Sequence, residues 1–300
     1  MMKMSFFVQH FLSGRLRRRA LEYRHSLSVR FGRRRGTSSR ERSPELIVSL
    51  TTIPERMHAV GLCLDSLLRQ SLKPDRIVLW LSEGNGLTRE DVLDRGLSRR
   101  FGRLIERGVE VRWCEDIRSY RKIIPTMREH PNALIVTADD DIMYPPNWLR
   151  TLFISYKNEP RYVHCHLAHQ IRYDESGRPL PYRQWVMRSP GFGGPSPDLF
   201  PTGAGGVLYA PGHLHEEVLN EEAFLSLCPT ADDVWLKAMS LLKGVACKKV
   251  SMETMPLPAI RIPGSRALFH ENVAGGGNDR QIAAVMNRYG VFWEARAGEE

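Results

Sequence analysis

The stretch Ala133-Leu-Ile-Val-Thr-Ala-Asp-Asp-Asp-Ile-Met-Tyr-Pro-Pro146 decides the fold of this chain. Its first residues are apolar and include the β-branched Ile135, Val136 and Thr137, which predicts a strand buried on both faces. Three carboxylates follow at once, and two prolines then end the extended segment. A buried strand that ends in acids indicates an α/β protein, because such folds bind ligands at the carboxyl ends of their parallel strands.

The three acids in this stretch predict a ligand site. Asp139, Asp140 and Asp141 repel one another, and a hard divalent cation such as Mg²⁺ or Mn²⁺ relieves that repulsion. Alternate side chains of an extended backbone share a face, so Asp139 and Asp141 can act together while Asp140 points away. The alternative is a solvated acidic turn that caps the next helix. The position at the end of a buried strand favours the ligand site.

Strands and helices alternate on both sides of this stretch. Strands are predicted at 46–51, 76–81, 109–113, 161–166, 207–210 and 245–251. Helices are predicted at 57–70, from Thr88 to about 106, and at 147–157, 230–243 and 279–289. The alternation predicts right-handed βαβ units and a largely parallel sheet flanked by helices. Residues 172–201 lack a helical period and predict a long functional loop.

Basic residues are concentrated at the start of the sequence. Residues 1–44 contain twelve Lys or Arg and two Glu, a net charge of +10, whereas the whole chain of 300 residues carries +9. Residues 45–300 are therefore close to neutral, at −1. We predict a basic segment over 1–44, flexible or lying on a membrane surface, and a catalytic domain over 45–300.

The basic segment has three open interpretations. Its apolar residues Phe6, Phe7, Phe11 and Leu12 precede the arginines, an order that fits a segment lying on an anionic membrane surface. A disordered basic arm and a nucleic-acid-binding tail are the alternatives. The neutral body makes nucleic acid the least favoured partner, because a nucleic-acid-binding domain would be basic as well.

The cysteines and histidines do not indicate a metal framework. Five scattered cysteines never form a Cys-x-x-Cys pair, which favours a reducing compartment. We therefore expect a cytoplasmic protein, peripheral on the inner face of the cell membrane. His164, His166 and His169, and the pair His213 and His215, could suggest zinc. No Glu is placed as in a metalloprotease helix, so buried or surface histidines are the expected explanation.

Three segments carry a resemblance to a known family. They are Ile47-Val-Ser-Leu-Thr-Thr-Ile-Pro-Glu-Arg56, Ile135-Val-Thr-Ala-Asp-Asp-Asp-Ile-Met-Tyr-Pro145 and Thr230-Ala-Asp-Asp-Val-Trp-Leu236. Over residues 45–290 the chain resembles nucleotide-sugar glycosyltransferases of the GT-A fold, in particular the inverting family-2-like group. The resemblance implies an α/β, Rossmann-like GT-A fold.

The resemblance also implies roles for the acids. Asp139 and Asp141 correspond to the outer acids of an Asp-x-Asp motif, in which the last acid ligates a divalent metal on the donor diphosphate and the first lies nearer the ribose. Which of the three acids fills each role is open, so Asp140 is counted with Asp139 among the nucleotide-sugar-binding residues. Asp232 and Asp233 stand where the family keeps its general base, and Asp233 is the favoured choice. The alternative for this pair is a helix cap.

Further site residues follow from the same resemblance. Thr51, Pro54 and Arg56 lie in the loop that binds the nucleotide in this family. Lys122, beside Arg121, could contact the diphosphate.

Two later segments complete the implied site. The Gly-rich loop Thr202–Gly206, with Gly205, corresponds to a donor-sugar and acceptor loop. His270 corresponds to a further metal ligand near the end of the domain. Ser82-Glu83 stands where family-2 enzymes carry an acidic pair, so the donor base stays open.

The expected function is therefore metal-dependent transfer of a sugar from a nucleoside-diphosphate sugar to a hydroxyl acceptor, with inversion. The acceptor would be a glycan or a lipid-linked saccharide, as in polysaccharide biosynthesis. One alternative is a metal-dependent nucleotidyl or phosphoryl transferase, which shares the acidic strand end and a phosphate substrate. The other is a non-enzymatic protein that binds nucleic acid through residues 1–44.

Overall fold

The structure is a computed structural model that describes residues 2–83, 88, 90, 97–253, 255–262 and 270–293, with the backbone alone at 2–15, 97–100 and 270. Its helices are α1 Met2–Phe31, α2 Val60–Leu68, α3 Leu97–Glu106, α4 Ile124–Glu129, α5 Trp148–Asn158, α6 Glu221–Leu227, α7 Asp232–Leu242 and α8 Gly277–Tyr289. Its strands are β1 Leu46–Thr51, β2 Arg76–Leu81, β3 Val109–Trp113, β4 Leu134–Thr137, β5 Val163–Cys165, β6 Ala168–Gln170, β7 Leu199–Pro201, β8 Val207–Tyr209 and β9 Cys247–Lys249.

The central sheet has seven strands in the order β3-β2-β1-β4-β8-β5-β9. β8 runs antiparallel to both of its neighbours, and the other pairings are parallel. β1 lies between β2 and β4, with Val48 opposite both Ile77 and Val136. The predicted fold class, a mostly parallel α/β sheet flanked by helices, is confirmed.

The sheet separates two apolar layers, which explains why the central strands β1 and β4 are largely apolar. Val48 of β1 packs in one layer with Leu64 of α2 and Trp148 of α5. Its neighbour Ile47 packs in the other layer with Trp235 of α7. Successive residues of a strand point to opposite faces of the sheet. When both faces are covered, both sets of side chains are buried, which favours apolar residues.

The second half of the chain departs from the sequence-based predictions. The reversed direction of β8 was not predicted, and neither was α6. The segment predicted as a long loop contributes β7, which pairs with β6 in a small two-stranded sheet. Strands of three residues are too short to display a period of two. The predicted start of the helix after Thr88 lies largely outside the described residues.

α1 is joined to the body by a buried ionic cluster around Asp65 of α2. The Asp65 carboxylate accepts hydrogen bonds from Ser28 Oγ at 2.6 Å and from Arg107 at 2.7 Å, and contacts His25 Nδ1 at 2.6 Å. Arg69 Nε adds a bond of 2.9 Å at the rim. Burial opposes ionisation, but these bonds prevail and hold the pKa of Asp65 at about 2.

Part of the basic segment thus packs on the body, with His25, Ser28 and Val29 buried. The division of the chain at residue 44, and a membrane-surface role for residues 1–44, stay predictions. Among the described residues, no helix combines the length and the apolar character needed to cross a bilayer. All five cysteines are free thiols.

Replacing Asp65 should destabilise the whole domain. Asp65→Ala leaves the buried Arg107 guanidinium without its carboxylate, and losing one partner of a buried ion pair costs about 3–5 kcal/mol. We expect a loss of this order in the free energy of unfolding, measured by urea denaturation at pH 7. The exposed Glu222 of α6 provides the control, because Glu222→Ala should change stability by less than about 0.5 kcal/mol. A change in Asp65→Ala no larger than in the control would contradict a structural role for the cluster.

Candidate active site

Two loops meet at the carboxyl edge of the sheet because β1 and β4 are neighbours. The loop after β1 carries Thr52 and Arg56, and the three acids follow β4. Thr52 Oγ1 donates to Asp140 at 2.5 Å, and one Arg56 nitrogen donates to Asp140 at 2.8 Å and to Asp141 at 3.3 Å. The predicted convergence of the first loop with the acids is therefore present in the structure.

The three acids differ in their surroundings. Asp140 is buried, with both carboxylate oxygens occupied by the first loop. Asp139 and Asp141 are partly exposed. Burial and the charges of Asp139 and Asp140 raise the pKa of Asp141 to about 6, and Arg56 opposes this only in part. The outer two acids, Asp139 and Asp141, thus have partly exposed carboxylates. At Asp141, the negative charges of the neighbouring acids are only partly compensated by Arg56.

Lys122 joins the strand-end acids to the second acid pair. It ends the short 3₁₀ helix Arg118–Lys122, and its buried ammonium lies 3.0 Å from Asp139 Oδ1 and 2.8 Å from Asp232 Oδ2. Burial alone would lower the pKa of Lys122, but Asp139, Asp232 and Asp233 together raise it well above its usual value. One permanently charged cation therefore ties the end of β4 to the start of α7.

Asp233 is held by backbone rather than by a cation. The Gly203 N–H donates to its two oxygens at 3.0 and 3.1 Å. A methyl group at Gly203 would lie 2.8 Å from Lys122 Nζ, 3.1 Å from Asp233 Oδ1 and 3.4 Å from Asp139 Oδ1, so the Gly203 backbone packs directly against both carboxylates and the ammonium group. Burial and the charge of Asp232 raise the pKa of Asp233 to about 7, with Lys122 and the Gly203 N–H acting in the opposite direction.

The helix-cap alternative for the second acid pair is not what the structure contains. No side chain caps α7, and the Thr230 hydroxyl donates to Asn272 Oδ1 at 2.7 Å instead. The Asn272 amide returns a bond of 2.7 Å to the Thr230 carbonyl, which ties the π-helical turn His270–Ala274 to the start of α7. The predicted metal ligand His270 begins this turn, but its side chain lies outside the described residues.

Other predicted residues lie beside the carboxylates without joining them. Thr51 Oγ1 donates to the Trp80 carbonyl at 2.9 Å, and Pro54 opens the 3₁₀ turn that carries Arg56. Gly205 packs inward, where a methyl group would lie 2.7 Å from the Leu167 backbone nitrogen. A functional role for these residues stays a prediction.

Three residues that the sequence did not single out help to build the site. Thr52 and Gly203 contact the acids as described above, and the Tyr144 hydroxyl accepts the Asp139 N–H at 2.8 Å. Each stands inside a quoted motif, one to three positions from a residue that was chosen. The motifs were therefore informative, but their spacing alone did not select between neighbours.

The histidines considered for zinc are structural in this fold. Ring nitrogens of His164 contact Ser155 Oγ at 2.8 Å and the Glu159 carbonyl at 2.9 Å, and His166 contacts the Trp148 carbonyl at 2.9 Å. Burial lowers the pKa of both to about 4. Throughout the described part of the chain, no group of three His, Cys, Asp or Glu residues is arranged to hold a metal ion on its own.

No family model and no curated protein matches this chain. Similar solved structures include a UTP-bound UGPase from Acinetobacter baumannii, at 12% identity and TM-score 0.39, with 81% of this chain and 92% of that chain covered. Another is an inositol-1-phosphate CTP transferase from T. maritima, at 13% identity and TM-score 0.40, with 81% and 96% covered. TM-scores this low carry no argument about activity.

The raised carboxyl pKa values predict a fall in stability as the pH rises. Asp141 at about 6 and Asp233 at about 7 hold their protons more tightly in the folded protein than the usual Asp value of 3.8 allows. The resulting stabilisation is complete below about pH 4 and is lost as the pH rises through 6 and 7. We expect Tm without added metal to fall between about pH 5 and 8, and Asp233→Asn to flatten that fall, by scanning calorimetry.

The exposed Glu175 provides a matched control. Glu175→Gln removes one carboxylate elsewhere on the surface and should keep the pH slope of the unmodified protein. Equal slopes in Asp233→Asn and the unmodified protein would show that Asp233 does not hold a proton at neutral pH.

Proposed function

We propose that this protein transfers a sugar from a nucleoside-diphosphate sugar to a hydroxyl acceptor with inversion, using Mg²⁺ or Mn²⁺. The observation that carries the proposal is the placement of Asp233. This partly buried carboxyl, with a pKa of about 7, lies against the same glycine, Gly203, as the strand-end Asp139. A group that exchanges a proton near neutral pH, next to acids suited to a donor diphosphate, is what a general base for hydroxyl attack requires.

In this proposal Asp233 receives the proton of the acceptor hydroxyl. The acceptor oxygen forms a bond to the anomeric carbon of the sugar as the bond from that carbon to the diphosphate oxygen breaks. A single displacement of this kind inverts the anomeric centre. Gly203 fixes the orientation of the Asp233 carboxylate, whereas Asp232 is paired with Lys122 and is less free to accept a proton. Asp233 is therefore favoured over Asp232 as the base.

The residues at the end of β4 fit a divalent cation. Asp141 is partly exposed and lies in a negative field that one shared Arg56 does not neutralise, and carboxylate oxygens are the ligands that Mg²⁺ and Mn²⁺ prefer. Magnesium is usually held by one or two carboxylates together with substrate phosphates. We propose Asp141 and Asp139 as its ligands, with His270 as a further candidate. A bound cation would neutralise charge on the leaving diphosphate.

Nucleotidyl transfer is the second candidate, and it would also use the acids at the end of β4. The acceptor in that reaction is an anionic phosphate that needs no general base, which would leave the partly buried Asp233 without a function. Sugar transfer to a neutral hydroxyl therefore accounts for more of the geometry.

The first test is donor binding. We expect Tm to rise with Mn²⁺ plus one of the UDP-, GDP- or dTDP-sugars, because a ligand that binds only the folded state stabilises it by mass action. Asp141→Asn should abolish the metal-dependent part of the rise. The partly buried Asp198, which bonds to the Tyr173 hydroxyl at 2.9 Å, supplies the control Asp198→Asn, which should keep it.

The second test separates binding from chemistry. Asp233→Asn should keep the donor-induced rise in Tm but lose transfer to an acceptor by about 10²–10⁴-fold, the usual contribution of a general base. Undiminished sugar transfer in Asp233→Asn would refute the assignment of the base. Release of pyrophosphate from a nucleoside triphosphate and a sugar phosphate would instead establish nucleotidyl transfer.

A further inference from the structure

α1 exposes a continuous apolar stripe along its described side chains. Leu16, Tyr23, Leu27 and Phe31 are 66%, 68%, 42% and 60% exposed, although each is a large hydrophobic residue. Their spacings of seven, four and four residues place them on one face of a helix with 3.6 residues per turn. A contiguous row of this kind differs from scattered single surface hydrophobics and marks an interaction site.

The stripe lies opposite the face that docks α1 onto the body. The buried residues of α1 are His25, Ser28 and Val29, and at about 100° per residue they centre on the far side of the helix from Leu27. The docking contacts include the Asp65 cluster, in which the His25 and Ser28 side chains of α1 contact the Asp65 carboxylate. The stripe is therefore directed outward, while the helix is fixed to the body near its C-terminal end, through His25, Ser28 and Val29.

Arginines border the stripe on both sides. By the same helical geometry, Arg17 and Arg24 lie along one edge, and Arg19 and Arg30 lie along the other. All four are exposed. Glu22 is the one acidic residue among the described side chains of α1, and its Oε1 lies 3.5 Å from Arg18 Nε. The outward face thus combines apolar side chains in the middle with unopposed positive charge at both margins.

More positive charge follows directly after Phe31. A cavity of about 370 Å³ begins at Gly32 and is lined by Arg33, Arg103 and Glu106, and also by Arg107, whose charge is already paired with Asp65. Burial and the charges of Arg34, Arg107 and Arg69 lower the pKa of Lys73. The cations in this region therefore lie close enough to affect one another. The end of α1 therefore joins a basic surface patch.

We propose that the outward face of α1 is the site at which this protein lies on an anionic lipid bilayer. The apolar stripe would enter the boundary between headgroups and acyl chains, and the bordering arginines would meet lipid phosphates. A second copy of the chain is disfavoured as the occupant, because two such faces would bring their arginines together. Nucleic acid would satisfy the arginines but would leave the four apolar side chains unused. This surface is separate from the carboxylate site, and the proposal does not rest on sugar transfer.

The test is co-flotation of the full chain with vesicles of phosphatidylcholine, alone or with 30 mol% phosphatidylglycerol (roughly the anionic content of a charged membrane surface). We expect at least about tenfold more bound protein on the anionic vesicles, and a decrease at high salt as the charges are screened. Tyr23→Ser/Leu27→Ser/Phe31→Ser should reduce binding by about tenfold or more, and Arg17→Gln/Arg24→Gln should reduce it as well. Ile154→Ser/Met252→Ser, which changes exposed hydrophobics of the body, is the matched control and should bind normally.

The Tm of each variant is measured alongside, because the stripe faces away from the core and its replacement should leave stability unchanged. Three outcomes would overturn the proposal. They are no preference for anionic vesicles, binding that the serine variants do not reduce, and self-association in light scattering that the same variants abolish. The last outcome would assign the stripe to a second copy of the chain.

Discussion

The ammonium group of Lys122, buried between Asp139 and Asp232, is the interaction on which the site depends. Its two partners stand at the end of β4 and at the start of α7, elements separated by almost a hundred residues of chain. Without a cation between them, the acids at these two places would repel one another at close range. The ion pairs thus permit a dense carboxylate cluster, and that cluster raises the pKa values that suit Asp233 and Asp141 to chemistry.

Charge is handled differently on the other side of the sheet. There a single carboxylate, Asp65, is surrounded by donors and remains ionised, which fastens α1 to the body. Around Asp233 acids outnumber cations, so protons are retained instead. The first arrangement yields stability and the second yields reactivity, although both use aspartates that are at least partly buried. Burial alone thus does not determine what a carboxylate does; the balance of neighbouring charges does.

The sequence predicted the first half of the sheet because β1 and β2 are apolar runs and β3 alternates apolar and charged residues, and all three strands have the expected bounds. It also located the acids after β4 and the pair at Asp232 and Asp233. It could not reveal that Lys122 joins them, since that contact depends on how β8 returns antiparallel beside β4. Within the Gly-rich loop, spacing could not distinguish Gly203, which borders the acids, from Gly205, which packs on Leu167. The pattern of a strand can be recognised within a short stretch of sequence, whereas contacts between distant segments can be identified only when the fold is known.

The most direct test of this account is an NMR titration of the aspartate carboxyl carbons in the unmodified protein and in Lys122→Met, with Lys122→Arg as the control that keeps the charge. The account predicts one carboxyl that titrates near pH 6 and another near pH 7 in the unmodified protein. The second should move upward in Lys122→Met and stay in place in Lys122→Arg, while the first should be unaffected because Arg56 is its cation. Aspartates that all titrate near their usual value of 3.8, or a carboxyl near pH 7 that ignores the loss of Lys122, would contradict the central role of the buried ammonium.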